Sequence, residues 1–156
     1  LRRGEIQTIS TDHCSFTLAQ KDMGREDFTK IPGGLPGVET RGELIYSYGV
    51  AKRRIAAARM CRCLSENPAR LYGLFPRKGI LRPGSDADIV VYDPTLSHVI
   101  RAQDCVANVD YNPYEGFATV GGIRQVWLRG QLSVSEGKVL AETPAGRYMA
   151  RGKNSL

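Results

Sequence analysis

The sequence predicts an α/β fold, with a strand and helices in its first half and antiparallel β-structure in its second. Three observations carry this. Glu5 to Thr11 alternates with the period of a strand, placing Ile6, Thr8 and Ser10 on one side and Gln7, Ile9 and Thr11 on the other. Between residues 38 and 73 apolar residues recur at helical spacing. Beyond Gly79, short runs rich in Val and Ile alternate with Gly and Pro turn signals.

Leu1-Arg2-Arg3-Gly4 reads as a helix end with Gly4 as its left-handed cap. Residues 13–37 hold Gly24, Pro32, Gly33, Gly34, Pro36 and Gly37 and read as a long loop. Loops of that length are usually functional or disordered. Phe16, Leu18, Met23, Phe28 and Ile31 predict that this one packs down. Val38–Tyr48 carries Leu44, Ile45 and Tyr48 at helical spacing, with Glu39 and Glu43 near its start. A second helix is expected over 55–65. A third is expected from Asn67-Pro68, with Asn67 as N-cap and Pro68 in the first turn, ending near Gly73.

Ala87–Asp93 then reads as a strand closed by Asp93-Pro94, with a further strand over 99–101 and a central one over 123–128. Arg129-Gly130 is a two-residue hairpin signal, followed by alternation at Leu132 and Val134 toward Gly137, and by Val139-Leu140. The tail from Glu142, with Pro144, Gly146 and Gly152, is expected to be extended or mobile. Three regions follow: 1–78 with the strand, loop and helices, 79–142 with the β-structure, and 143–156 as an extended tail.

Composition narrows the function classes. Hydrophobic residues make up 42% and charged residues 24%, the mix of a soluble globular chain. No apolar run reaches the roughly 18–20 residues that span a bilayer, and no signal-peptide pattern opens the chain, so the expectation is a cytoplasmic protein without a membrane partner. Net charge is +6, but Arg2, Arg3, Arg53, Arg54, Arg77, Lys78 and Arg147 stand singly or in pairs. Aromatics are not interleaved with them, which argues against nucleic acid. The four cysteines do not form a secreted disulfide pattern. Cys61 and Cys63 lie on different faces of a helix, and their spacing is not that of a zinc knuckle. Cys14 is the one cysteine placed near candidate chemistry.

That chemistry centres on Asp12. A carboxylate at the C-terminal end of a strand is where parallel barrels keep their active sites. The rest of such a barrel would precede Leu1, so the chain reads as the tail of an enzyme. Asp12 can ligate a metal and take a proton from bound water, or it can cap the following loop through backbone N–H groups. His13 points away from Asp12 if the strand continues, and reads as a packed, hydrogen-bonded histidine; His98 reads as a surface residue. Gly33-Gly34 allows close backbone approach to a ligand or simply serves a turn. Ser10 and Ser15 have no visible base partner for a serine triad.

Several motifs resemble the C-terminal part of the dihydropyrimidinase/hydantoinase family of amidohydrolases. They are Ser10-Thr11-Asp12-His13-Cys14, Asp27-Phe28-Thr29-Lys30-Ile31-Pro32, Leu35-Pro36-Gly37-Val38-Glu39, Asn67-Pro68-Ala69, Leu71-Tyr72-Gly73-Leu74, Gly84-Ser85-Asp86-Ala87-Asp88-Ile89-Val90 and Asn108-Val109-Asp110-Tyr111-Asn112-Pro113. The likeness covers about residues 5–140, and Ile31-Pro32-Gly33-Gly34 is similar to the bacterial D-phenylhydantoinase type.

The resemblance implies a fragment of a (β/α)8 barrel plus the C-terminal half of a small β-sandwich. Residues 5–12 would be the eighth barrel strand, 38–75 the closing helices and 84–140 the sandwich half. It implies hydrolysis of a small cyclic amide, a hydantoin or dihydropyrimidine, by hydroxide attack on the ring carbonyl. The cofactors would be two divalent metals, zinc in the first instance, and the assembly a homo-tetramer. Asp12 would be the last metal ligand and the proton carrier, Gly33 would hold substrate through its backbone where the family often has Asn, and Cys14 would lie near the ring substituent. The remaining ligands are not in this sequence, so the chain alone is expected to be inactive and not to bind the metals fully. A non-catalytic dihydropyrimidinase-like scaffold protein is the competing reading, which the acid at Asp12 disfavours.

Overall fold

The computed structural model describes residues 1–140 and 146–156. The expected tail features at Pro144, and the boundary between 142 and 143, lie outside the described residues.

The first half is helical and irregular. A short helix, α1 (Leu18–Asp22), sits inside the predicted loop, opened by a capping box in which Thr17 and Gln20 satisfy each other's backbone N–H groups. A single 3-10 turn follows at Phe28–Lys30, started by the Asp27 carboxylate. Helix α2 (Arg41–Ile45) starts three residues later than the spacing predicts and continues as a π-helical segment, Tyr46–Ala51. Helix α3 (Ala57–Cys61) runs through a second π segment, Arg62–Glu66, straight into α4 (Asn67–Leu71). The expected break at Asn67 is therefore absent. Asn67 has helical dihedrals, and its side chain donates to the Gln7 carbonyl, 2.7 Å away, instead of capping. Pro68 lies inside this continuous run, just after the π segment, and supplies no N–H to it; the Cys63 carbonyl five residues before it accepts from Ile9 N–H at 3.1 Å.

The second half is one antiparallel sheet in the order β1–β2–β3–β4. Strand β1 (Ile89–Val99) does not stop at Asp93-Pro94. It passes the proline through an irregularity between Asp93 and Ser97, a position where a missing N–H breaks no ladder bond. Strand β2 (Ala118–Leu128) turns at Arg129-Gly130, both at positive φ, into β3 (Gln131–Ser135). A second such turn at Glu136-Gly137 leads to β4 (Lys138–Val139).

The two halves are joined through α2 and its π extension. The buried Ser47 hydroxyl donates to the Val120 carbonyl and accepts from the Val120 N–H, both at 2.9 Å. Tyr46 packs on Tyr92 with ring centroids 4.5 Å apart. Gly121, at φ +79°, makes room for this: a Cβ there would lie 2.5 Å from the Tyr92 ring. The tail returns to the end of α4, with Gly152 N–H donating to Gly73 C=O (2.8 Å) and Ser155 N–H to Arg70 C=O (3.1 Å).

Two further expectations are corrected. Residues 5–11 form no sheet ladder among the described residues, because no second strand lies alongside; the helices serve their backbone instead. Arg59 donates to Ile6 C=O (2.8 Å), and Ile9 N–H donates to Cys63 C=O (3.1 Å). The loop 13–37 does not pack its apolar residues down. Leu18, Met23, Phe28 and Ile31 are exposed, Phe28 at 82%, since no described element covers that side. The buried core is correspondingly thin, consisting of Cys63, Ala69 and Ile100 with the polar Thr40, Ser47, Asn67 and Thr119. Cys61 is exposed while Cys63 is buried, as their opposite helix faces require. Among the described residues no helix is long and apolar enough to cross a membrane.

Candidate active site

Asp12 ends the segment that the helices hold. Its φ of +46° turns the chain sharply, a conformation that Asp tolerates better than most residues. The residue is exposed, and among the described residues its carboxylate has no hydrogen bond or ion pair. It therefore does not cap the loop. Only its backbone carbonyl is engaged, by the Cys14 thiol at 3.3 Å.

Immediately beyond the turn, the chain pairs with the far end of the loop. His13 and Leu35 form an isolated parallel bridge, and Cys14 N–H donates to Leu35 C=O at 3.1 Å. His13 is fully bonded. Its Nδ1 accepts from Gly37 N–H (3.0 Å) and Val38 N–H (3.3 Å). An accepting Nδ1 puts the proton of the neutral ring on Nε2, which donates to Ser15 Oγ at 2.9 Å. His13 is thus a brace and not a base for Ser15. His98 is likewise a surface residue, tied to Glu43 at 3.3 Å and to Thr119 at 3.1 Å.

The segment Pro32–Gly37 stands against Cys14. Gly34, at φ +103°, has no room for a side chain, since a Cβ would sit 2.5 Å from Cys14 Cβ and 2.6 Å from its sulfur. Gly33 is open, with nothing within 4 Å of where its Cβ would be. Its N–H and C=O make no hydrogen bond among the described residues. Cys14 therefore links the two predicted site elements, touching Asp12 on one side and the Gly34 turn on the other.

The sheet half holds the site loop from outside. The Glu39 carboxylate accepts from Val106 N–H (3.0 Å) and Ala107 N–H (3.1 Å), and Asp110 accepts from Leu18 N–H (2.9 Å). A hollow of about 280 Å³ lies beside the loop, lined in part by Thr11, Pro36, Arg41 and Tyr114. Asp12, Cys14 and Gly33 do not line it.

Sequence reasoning missed Lys21. This residue lies in the last turn of α1 and donates to the carbonyls of both Pro32 and Gly34. The signal for its helix, Thr17-x-x-Gln20, is visible in the sequence.

The donor chemistry bears on a metal centre. Among the described residues no three His, Cys, Asp or Glu side chains come together to hold an ion. One exposed, unpaired carboxylate suits one coordination position of a hard divalent cation. The set here fits a single ligand of a larger centre and not the whole of one.

The model of the amidohydrolase family matches residues 1–133. The chain belongs to the amidohydrolase family. A D-phenylhydantoinase of Escherichia coli O127:H6 (strain E2348/69 / EPEC) is 42% identical over 149 residues, covering 95% of this chain and 32% of that protein. The solved D-hydantoinase from Bacillus sp. AR9 superposes with a TM-score of 0.96 at 39% identity, over 99% of this chain and 34% of that one. A dihydropyrimidinase from Brevibacillus agri NCHU1002 gives 0.96 at 40% identity, with the same coverage. An L-hydantoinase from Arthrobacter aurescens gives 0.85 at 31% identity, over 90% of this chain and 31% of its own. The chain spans about a third of the length of the curated relatives it matches.

Proposed function

We propose that this chain is the closing part of a metal-dependent cyclic amidase of the hydantoinase type, acting on hydantoins or dihydropyrimidines. One observation carries the reading. Cys14 sits between the two candidate elements: its thiol donates to the backbone carbonyl of Asp12, whose carboxylate is free among the described residues, and its side chain packs against Gly34, next to Gly33, whose N–H and C=O have no partner among the described residues. A cyclic amide presents a donor and an acceptor side by side, which a free peptide N–H and C=O can meet. The carboxylate supplies the charge and the proton acceptor that hydrolysis needs.

In this reading residues 5–12 take the place of the last barrel strand, 38–75 close the barrel and 84–140 belong to a sandwich half, within regions 1–78, 79–142 and 143–156. Gly33 orients the ring through its backbone, and Cys14 lies near the ring substituent. Asp12 is one ligand of a centre of two divalent cations, zinc being the first candidate. Those cations, when bound, supply Lewis-acid polarisation and lower the pKa of water. Asp12 accepts the proton of the attacking water at its carboxylate oxygen and returns it to the leaving ring nitrogen. The intact protein would act as a homo-oligomer.

Two measurements test this. In a catalytically complete protein carrying this sequence, Asp12→Ala should abolish hydantoin turnover while the circular dichroism spectrum is kept. Near-normal turnover would remove Asp12 from the mechanism. The 156-residue chain by itself should show no turnover with added zinc or manganese, because one carboxylate does not make a two-metal centre. Measured turnover by the chain alone would overturn the partial-site reading.

A further inference from the structure

We propose that Lys21 is a positioning residue for substrate, holding the Gly33 peptide in its binding orientation by clamping the carbonyls on either side of it. This rests on the reading of Gly33 as the substrate-contacting backbone.

The geometry is specific to Gly33. The Lys21 ammonium donates to the Pro32 and Gly34 carbonyls together. The Pro32–Gly33 peptide is trans, so its N–H points opposite to its C=O. Fixing the Pro32 carbonyl on Lys21 therefore aims the Gly33 N–H away from Lys21. Fixing the Gly34 carbonyl holds the other end. The Gly33 C=O lies between the two anchored carbonyls and has no protein partner among the described residues.

Without such anchors this stretch would be loose. Glycine loses more backbone freedom on ordering than any other residue, and two lie in succession here. Each ammonium–carbonyl contact is charge-assisted and stronger than a neutral one. Lys21 itself is fixed from behind. Its helix begins with the Thr17–Gln20 capping box, its ammonium lies 5.1 Å from the Phe16 ring centroid, and α1 is tied to the sheet half through Asp110. His13 holds the far end of the same turn at Gly37 and Val38. Lys21 touches neither Asp12 nor, by this account, the substrate.

The test has two arms. In the 156-residue chain, Lys21→Met should speed amide hydrogen exchange at Cys14, Gly37 and Val38 by about tenfold, as a locally loosened turn requires. Exchange at Val126 and Val134 in the sheet should be unchanged. Unchanged exchange in the turn, or equal loss in turn and sheet, would overturn the clamp.

In the catalytically complete protein, Lys21→Met should raise KM for a 5-substituted hydantoin about tenfold, with kcat within about twofold, since bound-state orientation is lost and the chemical step is kept. Lys21→Arg, which can also reach two carbonyls, should restore most of the affinity. A ring N-methylated hydantoin, which cannot make the peptide contact, should show the same KM in wild type and Lys21→Met. If wild type binds parent and methylated rings equally, the Gly33 reading itself falls. If wild type discriminates and Lys21→Met discriminates as well as wild type does, Gly33 stands and the role of Lys21 is refuted.

Discussion

The two adjacent glycines of the site turn carry different constraints, and substitution separates them. Gly34 combines a positive φ with a missing Cβ that would strike Cys14. Gly34→Ala therefore meets both backbone strain and overpacking, each typically worth about 1–3 kcal/mol. Gly33 has open space around its Cβ position and no positive φ. Urea melts of the chain should show Gly34→Ala destabilised by at least about 1 kcal/mol and Gly33→Ala unchanged within about 0.5 kcal/mol. Equal effects would mean that Cys14 moves freely away from Gly34. A side chain at residue 33 would enter open space, so under the proposed function the peptide alone would meet the substrate.

The helix–sheet seam is where elements set one another's energetics, and it holds a titratable pair. Glu43 on α2 faces His98 on β1, with Glu39, Tyr92 and Tyr46 around it. Burial raises the Glu43 carboxyl above its ordinary 4.5; His98 opposes that and Glu39 adds to it. A folded-state value above the unfolded one means that protonated Glu43 favours the fold. That contribution is present below about pH 4.5 and fades as pH rises through the folded value. Asp27, Asp86 and Asp93 act in the opposite sense: hydrogen bonds and cations lower them, so their contribution is lost as pH falls below the ordinary 3.8. Glu43→Gln should therefore gain stability relative to wild type between pH 4.5 and 8, by chemical denaturation at stepped pH. Parallel pH profiles would show that the seam admits enough water to solvate the carboxylate. Elements differ in how far the sequence discloses them. Arg129-Gly130 was readable because a two-residue hairpin depends on local φ alone. The capping preference of Asn67 is local and does not disclose the continuous helix around it, which is set by contacts to residues 6–9. The Lys21 clamp was invisible because it joins a helix end to carbonyls more than ten residues on.

For the molecule as a whole, surface is the informative quantity. A compact monomer of 156 residues exposes roughly 7,800 Å²; this chain exposes 10,793 Å². The excess of roughly 3,000 Å² is comparable to a large protein–protein interface. It is not evenly polar. Ile6, Met23, Phe28, Ile31, Leu81 and Val106 are all exposed. The same fact accounts for the missing strand and the unpacked loop, since a strand at 5–11 needs neighbours and the loop's apolar residues need a cover. The net charge of +6 is spread along the chain and resists precipitation without shielding those residues. The chain by itself should therefore associate, and do so more at high salt, where charge repulsion is screened and apolar contact remains. Light scattering after size exclusion should give a mass above that of one chain, rising with salt. A monodisperse monomer at both low and high salt would mean that the exposed apolar residues find cover within the chain, and that its fold in solution is more closed than the open arrangement of residues 5–37.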